Sequence, residues 1–126
     1  MSKVLVIEDS ESMRSFLDMV IQELGHVMTG VENGVRALEV LRRGEVFDLI
    51  ITDIFMPEMD GIEVIEKIMA LNSKSRILAI SAGGAGLSGT GMLEVAGSLG
   101  ACALLHKPFT AEDCRRVITE ILSNPV

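Results

Sequence analysis

The chain has 126 residues, 48% of them hydrophobic, and a formal net charge of −7. That length suits one domain able to bury a real core, and the hydrophobic content excludes a disordered chain. The acidic balance argues against direct nucleic-acid binding, which needs clustered Lys and Arg, and no apolar stretch approaches the ~20 residues of a membrane span.

Met1-Ser2-Lys3 leads straight into the apolar run Val4-Leu5-Val6-Ile7, so no signal peptide is read and the expected location is cytoplasmic. Residues 3–8 read as a buried strand. Met13, Phe16, Leu17, Val20, Ile21 and Leu24 then recur at helical spacing, with Ser10 as N-cap and Gly25 as stop. A short strand is expected at 26–31, followed by a helix carrying Val35, Leu38, Val40 and Leu41 and ending at Gly44. The third strand, about 48–52, runs into the turn Met56-Pro57-Glu58-Met59-Asp60-Gly61. There Asp60 and Glu63 have the spacing of a capping box for a helix reaching about residue 71.

The fourth strand is expected at 76–80 and the fifth at 102–105. Between them Gly83, Gly84, Gly86, Gly89 and Gly91 crowd five glycines into nine residues, a composition that favours a mobile loop before a fourth helix. The last helix begins after Thr110, with Cys114, Val117, Ile118, Ile121 and Leu122 on one face. Arg42-Arg43 and Arg115-Arg116 are read as cations in the second halves of their helices, where the macrodipole favours them. Cys102 and Cys114 have no C-x-x-C spacing and read as reduced packing residues. Five strands alternating with five helices imply an α/β, doubly wound parallel sheet covered on both faces, formed by a single domain over residues 1–126.

In such a sheet the carboxyl ends of neighbouring strands converge on one edge, where ligands bind. Glu8-Asp9, Asp53, Ser81 and Lys107 all lie at strand exits. Three carboxylates brought together repel one another. A divalent cation together with the Lys107 ammonium would neutralise them. Mg²⁺ prefers carboxylate oxygens, waters and a phosphate group, and a carboxylate can act as a nucleophile toward phosphorus. Each residue also has a plainer role: Asp53 as a turn former, Glu8-Asp9 as a helix start, Lys107 as a solvated loop residue, and Ser81 as a turn hydroxyl.

The chain resembles a response-regulator receiver domain of two-component signalling. The matching stretches are Val4-Leu5-Val6-Ile7-Glu8-Asp9-Ser10, Asp53-Ile54-Phe55-Met56-Pro57 with Gly61 beyond, Ile80-Ser81-Ala82, and Gly100-Ala101 leading to Lys107-Pro108-Phe109. The resemblance covers the whole chain and implies a flavodoxin-like strand order 2-1-3-4-5. It makes Asp53 the phospho-acceptor and places Mg²⁺ on Glu8, Asp9, Asp53 and the backbone carbonyl of Phe55. Ser81 and Lys107 become the phosphoryl-contacting residues, and the bond before Pro108 is expected to be cis. The implied partners are a sensor histidine kinase or histidine phosphotransfer protein as donor and a downstream protein as target, in a signalling module without an output domain that is not an enzyme. The chain departs from the family at Leu104, where an aromatic switch residue is common, at the apolar Phe55, and in the glycine-rich loop. The expected switch region is therefore Leu104 with Gly83, Gly84 and Gly86.

Two other readings compete. Gly84-Ala85-Gly86-Leu87-Ser88-Gly89 matches G-x-G-x-x-G, a dinucleotide fingerprint, but it follows the fourth strand rather than the first. The next strand ends in Leu105-His106-Lys107, with no acid to hold a ribose. A pseudo-receiver that keeps the fold without phosphorylation is opposed by the retained Glu8, Asp9, Asp53, Ser81 and Lys107.

Overall fold

The computed structural model describes residues 1–54, 61–81 and 100–123. Five strands, β1 (Lys3–Ile7), β2 (Val27–Val31), β3 (Leu49–Asp53), β4 (Ile77–Ser81) and β5 (Ala103–His106), form one parallel sheet in the order β2-β1-β3-β4-β5. Four helices are described: α1 (Glu11–Glu23), α2 (Gly34–Arg42), α3 (Gly61–Leu71) and α4 (Ala111–Ser123). The expected Asp60 cap, the glycine-rich loop and the helix before Gly100 lie outside the described residues.

Side chains on a strand alternate between faces, and two apolar layers follow. Leu5 and Ile7 pack with Ala37 and Leu38 of α2 and with Val64, Ile65 and Ile68 of α3. Val4 and Val6 pack with Leu17, Val20 and Ile21 of α1 and with Cys114, Ile118 and Ile121 of α4. Both faces of β1, β3 and β4 are thereby dry. Their near-continuous apolar runs are what a doubly covered parallel sheet requires.

Local signals set the helix ends. The Ser10 side chain accepts from the Met13 N–H, and Asn33 does the same for Arg36. Gly25 and Gly44 close α1 and α2 with φ of +82° and +94°, a backbone region that costs other residues energy. At α4 the Thr110 hydroxyl accepts from the Asp113 N–H while the Asp113 carboxylate accepts from the Thr110 N–H, a reciprocal capping box. These bonds hold the exposed Asp113 carboxyl below its ordinary range.

Two expectations need adjustment. Strands β3, β4 and β5 each end one residue later than the apolar pattern suggests, because Asp53 pairs with Ile80 and Ser81 with His106 in the ladders. Arg115 and Arg116 lie in the first half of α4, not the second. They are held by acids instead: Arg115 by Glu23 of α1 at 3.1 Å and Arg116 by Asp113 at 3.5 Å. Among the described residues, no helix is long and apolar enough to cross a membrane.

Candidate functional site

Sheet register assembles the site. Ile7 of β1 lies opposite Thr52 of β3, so Glu8, just past β1, comes alongside Asp53. Asp53 in turn lies opposite Ile80 of β4, and Ser81 opposite His106 of β5, which brings Lys107 to the same edge. The Lys107 N–H donates to the Ser81 carbonyl at 2.7 Å, fixing where the lysine side chain starts. The Lys107–Pro108 peptide bond is cis.

The Lys107 ammonium lies 2.8 Å from Asp53 Oδ2 and 3.3 Å from Glu8 Oε1. Both acids are nearly sealed from solvent, Glu8 at 2% and Asp53 at 4% exposure, whereas Asp9 is exposed. Ser81 is buried at the end of β4. Burial pushes the Glu8 carboxyl up to about 7; the Ser10 N–H that donates to it opposes this, while Asp53 and Asp9 reinforce it. Burial alone would lower the Lys107 pKa, but the Asp53 and Glu8 carboxylates outweigh it and the net shift is upward. One ammonium therefore does not neutralise the cluster.

One carboxylate oxygen from each of Glu8, Asp9 and Asp53 lies within 4.8 Å of the other two. The donor set is all oxygen, it converges within reach of a single ion, and it carries uncompensated negative charge. It fits a hard divalent cation of the Mg²⁺ class. Phe55, the expected carbonyl ligand, and Gly83, Gly84 and Gly86 of the expected switch region lie outside the described residues, as does the Gly84–Gly89 fingerprint. Leu104, the remaining member of that region, lies in β5 and is 40% exposed.

Two features escaped the sequence reading. Arg14 Nη1 donates to the Glu8 carbonyl at 2.6 Å, a bond that no motif announces. Met13, Phe16, Lys107, Pro108 and Phe109 line an apolar recess of about 450 Å³ next to the lysine, with the Phe16 and Phe109 rings 6.0 Å apart. The helical spacing of Met13 and Phe16 was legible, but their meeting with Phe109 required the fold.

Comparison with known proteins agrees with this fold. Residues 4–119 match the family model described as the response regulator receiver domain. The chain is 32% identical to the response regulator receiver protein CpdR of Brucella abortus, over 97% of this chain and 98% of that protein. It is 28% identical to sporulation initiation phosphotransferase F of Bacillus subtilis, covering 95% and 93% of the two chains. Among solved structures, the chemotaxis protein CheY4 of Vibrio cholerae superposes with a TM-score of 0.84 at 27% identity, over 97% of this chain and 99% of that one. A family match over most of the chain, on a sheet of the same order with an acidic cluster at its carboxyl edge, makes this chain a member of the response regulator receiver domain family.

Proposed function

We propose that Asp53 accepts a phosphoryl group from a phosphohistidine on a sensor histidine kinase or histidine phosphotransfer protein, in a Mg²⁺-dependent step. The supporting observation is the Lys107 ammonium, 2.8 Å from Asp53 and 3.3 Å from Glu8 at the carboxyl edge of the sheet. An Asp53 carboxylate oxygen forms the new bond to phosphorus as the phosphorus–nitrogen bond to the donor histidine breaks; the imidazole keeps that electron pair. The Lys107 ammonium lies against the Asp53 carboxylate, and its charge stays beside the arriving phosphoryl oxygens. The Ser81 hydroxyl is the other phosphoryl-contacting group.

Glu8, Asp9, Asp53 and the Phe55 carbonyl are the proposed cation ligands. When bound, Mg²⁺ offsets charge on the transferring phosphoryl group. The apolar recess beside Lys107 is a suitable seat for a nonpolar side chain of the donor protein. Output passes to a downstream protein through altered contacts or onward phosphotransfer; the name of the Bacillus relative supports the latter.

Incubation with phosphoramidate and Mg²⁺ tests the reading. One base-labile acyl phosphate should form, and both Asp53→Asn and EDTA should abolish it. Label that persists at another residue in Asp53→Asn overturns the assignment.

A further inference from the structure

The turn after β1 carries both Glu8 and Asp9, and the directions of their carboxylates depend on what holds the Glu8 backbone. The Glu8 N–H donates to the Val31 carbonyl of β2 at 3.0 Å. The Glu8 carbonyl accepts from Arg14 Nη1 of α1 at 2.6 Å, a charge-assisted bond of the stronger kind. The Arg14 stem reaches it by lying over β2 at Gly30. A Cβ on that glycine would stand 3.4 Å from Arg14 Cδ and 3.0 Å from Met28 Cε. The first of these is an ordinary contact, so the arginine stem passes about one methyl group from Gly30 and a larger side chain there would crowd it.

We infer that Arg14 is a positioning residue for the acidic cluster. The Glu8 carbonyl belongs to the planar peptide that leads into Asp9, so its direction sets where the Asp9 main chain begins. On the other side, the Glu8 side chain is held by the Ser10 N–H at 3.0 Å. Arg14 thus ties to α1 the one peptide that joins the two acids, and the small Gly30 leaves the arginine stem uncrowded. The inference rests on the phospho-acceptor reading in taking Mg²⁺ as the ion the cluster receives.

Charge and position make opposite predictions for the loss of Arg14. A guanidinium acting only through space repels a dication, so removing it would tighten Mg²⁺ binding. A clamp that orients ligands, when removed, loosens binding, by about 10–100-fold for supporting groups of this kind.

The test is calorimetric titration of Mg²⁺ into the wild type, Arg14→Met, Arg14→Lys and Gly30→Val. Arg14→Met keeps most of the stem and loses the donor; its Kd should rise about tenfold or more. Arg14→Lys, which restores a cationic donor, should recover part of that loss. Gly30→Val, which crowds the stem while leaving Arg14 in place, should weaken binding in the same direction. In Arg14→Met without metal, amide exchange at Ser10 should quicken, and the phosphorylation rate should return to near wild type at saturating Mg²⁺. A folded Arg14→Met with an unchanged or lower Kd overturns the inference, and if that variant does not fold, an unchanged Kd in Gly30→Val does the same. A wild type that neither binds Mg²⁺ nor forms an acyl phosphate defeats the phospho-acceptor reading instead, so the two failures are distinguishable.

Discussion

Raising the pH from about 5 to about 8 in the absence of divalent cations should weaken the fold, and Glu8 is the reason. Its carboxyl is raised from 4.5 to about 7, chiefly by burial. The unfolded chain releases that proton near the ordinary glutamate value, while the folded chain keeps it until about 7. The stability linked to this group is therefore fully present below about 4.5 and lost as pH rises through about 7. Each pKa unit corresponds to 1.36 kcal/mol, so the loss reaches roughly 3 kcal/mol. That is a large share of the ~5–15 kcal/mol that separates folded from unfolded domains. Mg²⁺ at ~100-fold its Kd would return about 2.7 kcal/mol and almost flatten the profile. The chain has no Trp or Tyr, so the assay is urea unfolding followed by far-ultraviolet circular dichroism, with EDTA or Mg²⁺, for the wild type and Glu8→Gln. Glu8→Gln should remove most of the slope. A metal-free stability that is flat or rises across this window, or a Glu8→Gln variant that keeps the wild-type slope, would refute the reasoning.

Lys107→Met removes the ammonium between Asp53 and Glu8 and leaves two buried carboxylates crowded together; urea unfolding in EDTA should show a loss of roughly 1–3 kcal/mol. Thr110→Ala deletes half of the capping box at α4 and should cost about 1 kcal/mol by the same measurement. Gly100→Ala forces a side chain onto a backbone with φ of +121° and places a Cβ 2.8 Å from Met69 Cε. It should destabilise by roughly 1–3 kcal/mol, and a midpoint equal to wild type would show that this turn relaxes freely.

Signals confined to a few neighbouring residues were legible without any structure. The apolar runs at Val4–Ile7 and Leu49–Ile51 mark strands because a sheet covered on both faces accepts few polar side chains. Ser10, Gly25 and Gly44 mark helix ends because a cap or a positive φ is a property of one residue and its immediate neighbours. The spacing of Thr110 and Asp113 marks a helix start for the same reason, and the two residues cap each other there. Arg115 and Arg116 were misplaced within their helix because charge alone carries no position along it.

Other features depended on the tertiary structure. Alternating strands and helices are compatible with several strand orders; the order 2-1-3-4-5 came from the receiver resemblance and is seen in the sheet. Lys107 lies 54 residues from Asp53 and 99 from Glu8 in sequence. Only the pairing of Ile7 with Thr52, of Asp53 with Ile80 and of Ser81 with His106 brings their charges within 2.8 and 3.3 Å. The pKa of Glu8 near 7 also belongs to the fold, since an exposed glutamate suffers no desolvation. So does the bond from Arg14 to the Glu8 carbonyl, because it depends on how α1 turns back over the end of β1 beside β2. Local chemistry chose the elements and the acids; long-range register and burial turned those acids into one site with its own charge balance.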